Sequence, residues 1–536
     1  WSAEARHTVE SLEDLGLETS WSNHGVRCER FGQRGTMPVR GWYPFAAVED
    51  KEAGVFWGVQ IEAQASWQIE ASRRDDFINL SGGLADREFG HWLKILSPGD
   101  SLKSPEAYLT TVKSGFDDLC SRLLEQQLIS SENMPGSEKG APVVFNEWCT
   151  SWGQPEAGQI SRYLPILKQI GIKYYVIDAG WYDEGCGSWE TAHGDWNVST
   201  ELFPQGLKKT CDEIRSYGIV PGLWFEFETA GIDSRIINKH EWLLQKDGFL
   251  LRSGARYFLD FRNPEVRNYL RQKVIKLLKS QGFGYLKIDY NETTGIGCDG
   301  GDSPADGIRE NILASQDFIN EIRREIPGIV IENCSSGGHR QEPSFINLTD
   351  MSSFSDAHET VNIPIIAANL CRLIISRKCQ IWAVLHPDDT VRRMYYSLSA
   401  AFLGRMCISG EIGELSLVSI EIIREAVKLY KKAVELIDII KTERFGPEVQ
   451  SYRHPRGWQA VSRISEIKNK GLLVIHTFED SPQRLNFELS SEKVWKISGS
   501  FKEKNIMADM KKNVLTLRGL RDFTGIAILL NDLGVN

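Results

Sequence analysis

The chain has 536 residues, 41% of them hydrophobic and 25% charged, with a formal net charge of −10. That profile fits a globular protein of two to four domains. An acidic balance argues against a nucleic-acid partner, because phosphate binding needs clustered Lys and Arg, and no apolar run reaches the ~18 residues of a membrane span.

The sequence starts at Trp1 without a charged or apolar leader, so the natural N-terminus is expected to lie upstream. Ten cysteines are dispersed with no CxxC pair, which disfavours a zinc knuckle. Scattered cysteines in a long chain fit reduced core thiols and point to the cytoplasm.

Residues 1–125 read as β-rich. FWGVQIEAQASWQIEA (56–71) alternates like a strand, and turn signals follow at Ser81-Gly82-Gly83 and Pro98-Gly99-Asp100. The polar stretch SSENMPGSEKG (130–140) has linker composition, so residues 126–141 are expected to connect two domains.

From 142 to 440 short apolar runs alternate with amphipathic stretches. The runs are VVFNEW (143–148), YYVIDAGW (174–181), IVPGLWFEFE (219–228), YFLDF (257–261), YLKIDYNE (285–292), IVIENCSS (329–336), DMSSFSD (350–356), CQIWAVL (379–385) and RMCISGE (405–411). Helical candidates such as 160–171, 266–282 and 312–328 lie between them. Repeated strand–helix units imply parallel strands with right-handed crossovers. About eight units in this length fit a (β/α)8 TIM barrel. No GxGxxG fingerprint supports a dinucleotide fold, and no GxSxG elbow supports an acyl hydrolase. Residues 441–536 return to short β runs and read as a C-terminal antiparallel β-sandwich. The expected fold is therefore multidomain: an N-terminal β-sandwich portion, a barrel and a C-terminal β-sandwich.

In a barrel, chemistry sits at the C-terminal strand ends. Those ends carry Trp148, Asp178, Trp181, Trp224, Glu226, Lys287, Asp289, Cys334 and Asp356. One acid there is commonly a structural cap. Several on successive strands, interleaved with tryptophans, indicate a polar ligand site, and the mixture suggests carbohydrate. A glycosidase needs two carboxyl groups, one ionised and one able to give a proton. Lys287 precedes Asp289 by two residues and points the same way on a strand, which would keep Asp289 ionised. Glu226 and Glu228 are read as network or Lys287-orienting residues, Asp388 and Asp389 as a loop cap, and Asp299 and Asp302 as non-calcium acids.

These segments resemble glycoside hydrolase family 36, the melibiase-type α-galactosidases. YLKIDYNE resembles the nucleophile strand, ENCSSGGHR (332–340) the Cys-Ser-Ser-Gly-Gly-Gly-Arg motif, and SSFSDAHE (352–359) the acid/base segment. IDAGW (177–181), GLWFEFE (222–228), LDFRNPEVRNYL (259–270), FLGRMCISG (402–410) and ILSPGDSLKSPEAYL (95–109) are similar to further family segments in the same order. The resemblance implies Asp289 as nucleophile and Asp356 as acid/base. It implies sugar contacts from Trp148, Asp178, Trp224, Lys287, Cys334 and Gly337; Trp181 and Arg340, within the same motifs, join them as candidates. It further implies a retaining double displacement on α-galactosides without metal or organic cofactor, and a homo-oligomer. The chain departs from the pattern at Ala179, at His339, at Phe227 and at Asn-Glu-Trp-Cys (146–149). These departures keep α-N-acetylgalactosamine and galactosamine open as substrates. A raffinose- or stachyose-forming galactosyltransferase and a non-catalytic sugar-binding protein are the alternatives of other classes.

Overall fold

The computed structural model describes residues 28–74, 77–183, 185, 187–354, 360–449, 451–491 and 493–532. Eight parallel strands close into a barrel: β1 (Val144–Asn146), β2 (Tyr174–Ile177), β3 (Val220–Phe225), β4 (Tyr285–Ile288), β5 (Val330–Asn333), β6 (Met351–Ser353), β7 (Cys379–Leu385) and β8 (Arg405–Gly410). Side chains alternate between its two faces, as strand geometry requires. Val144, Val176, Tyr285, Val330, Met351 and Trp382 form one buried cluster. Their neighbours Phe145, Tyr175, Leu286, Ile331 and Ile381 belong to another, shared with the surrounding helices.

The helices follow from periodic apolar stripes and local stop signals. Ala157–Ile170 ends at Gly171 in the left-handed conformation, where glycine carries no Cβ penalty. Pro304–Glu325 starts from Ser303, whose hydroxyl accepts the Asp306 amide, with Pro304 at the first turn. No helix among the described residues is long and apolar enough to cross a membrane.

Of the nine apolar runs, YFLDF is not a barrel strand. Arg256–Phe258 pairs antiparallel with Thr229–Gly231 and with Arg252–Ser253. β3 instead pairs directly with β4, placing Trp224 beside Lys287. The run is apolar because Phe258, Leu259 and Phe261 are buried in the main core. Apolarity reports burial, not the sheet that does the burying.

Before the barrel lie two three-stranded antiparallel sheets, Cys28–Gln33, Trp67–Arg74 and Phe77–Leu84, and Phe45–Asp50, Val55–Ile61 and Ala107–Val112. Ile61, Ala63, Trp67 and Ile69 form a small core of their own. After it, a five-stranded and a three-stranded sheet enclose Leu473, Ile475, Leu515, Leu517, Ile526 and Ile528. Trp495–Phe501 and Met507–Lys511 are strands that the sequence reading passed over, since they are half exposed and dilute in apolar residues.

Residues 126–141, polar enough to read as a linker, are ordered against the barrel. Helix Phe116–Ser131 is followed by a 3-10 turn at Gly136–Glu138. Glu138 is buried at the N-terminal end of the barrel in an ion pair with Arg405 of β8, and the Tyr174 hydroxyl donates to it at 2.6 Å. Both charges are at most 1% exposed. Composition cannot tell a solvated acid from one that meets its partner 267 residues away. Removing one partner of a buried pair leaves the other charge uncompensated, at a cost of about 3–5 kcal/mol. Glu138→Leu is therefore expected to lower unfolding stability by about that amount in urea denaturation, and a change within ~0.5 kcal/mol would contradict the pairing.

Candidate active site

Asp289 follows β4 directly at the mouth of the barrel, and its carboxylate is held on both oxygens. Oδ1 accepts the backbone N–H groups of Tyr290 at 2.8 Å and Ser336 at 2.9 Å, and Oδ2 accepts Trp224 Nε1 at 3.0 Å. Burial alone would push its pKa up. The Lys287 charge and the three donors outweigh burial and hold it below the ordinary carboxylate value. The Ser336 donor depends on a tight turn after β5. Ser336 lies at φ 53° and Gly337 at φ 74°, left-handed conformations that tilt the 336 amide toward β4.

Lys287, on β4, donates to Asp178 Oδ2 at 2.8 Å in a fully buried pair. The same oxygen accepts Asn146 Nδ2 at 2.7 Å, and Oδ1 accepts the Ala179 amide at 2.9 Å. The Lys287 ammonium also lies 5.0 Å over the Trp382 ring. Strand ends β1, β2 and β4 thus converge on one charged cluster, with Asp178, Lys287 and Asp289 brought together.

Tryptophans form the adjoining wall. Trp224 is buried, and the Trp189 ring meets it edge-on with centroids 6.3 Å apart. Trp148 meets Trp189 edge-on at 5.1 Å. Trp181 lies behind this wall: it is fully buried, stacks on Trp196 and donates Nε1 to the Trp224 carbonyl at 2.8 Å, so it braces Trp224. Cys334 is buried where β5 ends, with its amide bonded to the Ile288 carbonyl at 2.8 Å, which sets the β5 turn against β4.

Arg340 is placed differently from the other candidates. Nη1 and Nη2 donate to Glu228, and Nε donates to the Thr36 carbonyl at 2.9 Å. All three nitrogens are engaged with protein, and the guanidinium lies 3.5 Å over the Tyr290 ring. Asp356, three residues after β6 in sequence, lies outside the described residues.

Glu226 and Glu228 do not orient Lys287. Glu226 binds Arg256 and Asn291, and Glu228 binds Arg340. Asp389 accepts the His386 amide and pairs with Arg393, as a loop cap would. Asp299 accepts the amides of Asp247 and Gly248, both at 2.9 Å. Among the described residues no group of three His, Cys, Asp or Glu is placed to hold a metal ion.

Arg256 escaped the sequence reading. Its Nε donates to Glu226 at 2.8 Å, while Nη2 is buried with no hydrogen-bond partner in the protein. The guanidinium lies 5.7 Å from the Trp189 ring centroid and within the field of Asp289. A buried donor without a protein acceptor is costly and suits a ligand oxygen. Its signal in the sequence is an arginine directly before the apolar run YFLDF, away from the motifs that carry the other candidates. His193 also sits beneath the wall, with Nε2 2.8 Å from the Thr229 hydroxyl and its pKa pushed by burial down to about 4.

The melibiase family model matches residues 101–440, and the chain belongs to this family. It is 26% identical over 312 residues to α-galactosidase Mel36A of Lactobacillus acidophilus, covering 55% of this chain and 41% of that protein. It is 25% identical over 358 residues to α-galactosidase AgaA of Geobacillus stearothermophilus, covering 64% and 48%. The chain thus spans less than half the length of these relatives. The fold follows a crystal structure of an AgaA variant with 1-deoxygalactonojirimycin at a TM-score of 0.82 and 19% identity, covering 96% of this chain and 74% of that one. The α-galactosidase of Lactobacillus brevis gives 0.81 at 18% identity, covering 97% and 73%.

Two further acids near Lys287 are unusual. Burial raises Glu147 to about 8 and Glu332 to about 7. Glu147 Oε1 accepts the Asp178 amide at 2.8 Å, and burial outweighs both this bond and the Ser151 hydroxyl beside the carboxyl. An acid whose folded pKa is raised binds an extra proton in the native state, so its stability contribution is fully present below the unfolded value and is lost as pH rises to about 8. Glu147→Gln keeps the Oε1 acceptor and removes the titration. The fall in urea midpoint between pH 5 and pH 8 should therefore be smaller in the variant than in the wild type; an equal or steeper fall would refute a protonated Glu147.

Proposed function

We propose that the chain is the catalytic portion of a retaining α-galactosidase, with Asp289 as nucleophile and Asp356 as acid/base. The observation that carries this reading is the Asp289 carboxylate, buried yet kept ionised, at the mouth of a barrel walled by tryptophan. A nucleophile must hold negative charge where solvent no longer supports it. Donors fixed in advance accomplish that without reorganisation during the reaction.

In this reading Asp289 attacks the anomeric carbon while the glycosidic C–O bond breaks and the leaving oxygen takes a proton from Asp356. Water then attacks the glycosyl-enzyme, Asp356 receives its proton, and the Asp289 carboxylate is released. Asp178, Lys287 and the unpartnered Nη2 of Arg256 supply polar groups for sugar hydroxyls. Trp148 and Trp224 supply apolar faces, and Cys334 and Gly337 border the sugar's 2-position. Relatives support the substrate class: AgaA variants have been crystallised with raffinose and with stachyose.

The test compares the chain with Asp289→Ala on p-nitrophenyl α-galactoside and α-N-acetylgalactosaminide. Cleavage of the galactoside is expected, falling at least about a thousandfold in the variant. Cleavage of the acetamido sugar alone would move the specificity to that sugar and implicate Ala179 and His339. Activity undiminished in Asp289→Ala would overturn the assignment. Trp224→Phe removes one donor to Asp289, so the acid limb of its kcat/KM profile should move to higher pH. A limb that stays or moves down would contradict the role given to that hydrogen bond.

A further inference from the structure

The tryptophan wall does not stop at the galactose pocket. Beyond Trp148 stands Trp152, its ring centroid 5.9 Å from that of Trp148 and inclined by 60°. From outside inward the four rings run Trp152, Trp148, Trp189 and Trp224, and the last donates to the nucleophile. Exposure falls along the same path. Trp152 is 48% exposed, Trp148 and Trp189 are half-buried, and Trp224 is 1% exposed.

An isolated exposed tryptophan needs no explanation. Trp152 is not isolated, and its backbone is strained. It caps the short helix Trp148–Ser151 at φ 52° and ψ 41°, a left-handed conformation that a bulky side chain disfavours. The surroundings enforce it. The Trp152 amide donates to the Trp148 carbonyl at 2.8 Å, and Thr150 Oγ1 donates to the Gly410 carbonyl at 2.6 Å, tying the helix to the end of β8. A Cβ at Gly153 would lie 2.7 Å from the Trp189 ring, and one at Gly180 would lie 1.9 Å from the Gly153 carbonyl oxygen. Gly153 and Gly180 therefore let the loop close on the wall and hold the Trp152 ring out at the rim. Strain held by the surrounding structure at the edge of a site points to function.

We propose that Trp152 is the platform for the leaving-group side of the substrate. It takes the apolar C–H face of a sugar ring on the far side of the cleaved bond, outside the pocket for the galactose. Three ring-to-ring steps separate it from Trp224, the ring bonded to Asp289, so it stands at the exposed outer end of the wall. A rigid aromatic face binds such a ring at low conformational cost. This inference rests on the α-galactosidase reading for which unit lies where, and not for the existence of the platform.

The test measures kcat/KM for raffinose and for α-galactosyl fluoride, whose leaving group has no ring, in the full chain, Trp152→Ala and Trp152→Phe. The raffinose-to-fluoride ratio should fall about tenfold in Trp152→Ala, carried by KM, with Trp152→Phe in between. An unchanged ratio, including equal losses on both substrates, would overturn the platform. If the wild-type chain cleaves neither substrate, the α-galactosidase reading fails, and the platform is judged by calorimetric titration with raffinose. Binding weakened in Trp152→Ala supports it; binding unchanged by the substitution, or absent from the wild type, overturns it.

Discussion

The Lys287 ammonium is buried inside the barrel with Asp178 as its ion-pair partner, and its field reaches Asp289, Glu147 and Glu332. Four carboxyl groups around one cation could not all remain charged in a dry interior, since each buried charge costs several kcal/mol unless compensated. The protein divides them by their donors. Asp289 has three N–H donors besides the Lys287 charge and stays ionised. Glu147 accepts one backbone amide through Oε1, and Glu332 accepts from the Tyr285 hydroxyl and Gln380 through Oε2. Burial prevails for these two, and both are raised. The same cation therefore serves acids with opposite shifts: at Asp289 its charge and three donors outweigh burial, and at Glu147 and Glu332 burial prevails.

That division depends on the backbone after β4 and β5. The Tyr290 amide reaches Asp289 only because the chain turns immediately after the strand, and the Ser336 amide only because residues 336 and 337 adopt left-handed conformations. Cys334, bonded through its amide to the Ile288 carbonyl, sets the two turns against each other. A small buried side chain at 334 is what this close approach permits.

Much of this was legible in the sequence because it is local. Alternation of apolar runs with amphipathic stretches identified all eight barrel strands, and the Lys-x-Asp spacing put Lys287 and Asp289 on one face without any tertiary information. The misreadings share a different cause. YFLDF is apolar because it is buried in the main core, and no local feature distinguishes an inserted antiparallel strand from a parallel one. Glu138 looks solvated until Arg405 arrives from the last barrel strand, 267 residues away in sequence. Arg256 and Arg340 are both buried arginines beside the site, and only contacts distant in sequence separate them. Arg340 has its nitrogens engaged by Glu228 and Thr36, whereas Arg256 keeps one buried nitrogen without a protein acceptor.

Those contacts of Arg340 also tie the first domain to the site. Thr36 lies in the segment between the first two strands of the N-terminal sheets. Its carbonyl accepts Arg340 Nε, and its hydroxyl accepts the Tyr290 hydroxyl at 2.9 Å. Tyr290 is the residue whose amide holds Asp289. One short segment therefore fixes the side chains that follow β4 and β5, the two strands whose turns supply the backbone donors of Asp289. Displacing residues 35–39 would leave the Tyr290 hydroxyl and the Arg340 guanidinium each short of a buried partner, at a cost of about 1–3 kcal/mol per group. The N-terminal sheets are thus a structural part of the candidate site, and the barrel alone would hold Asp289 less firmly than the barrel with its first domain in place.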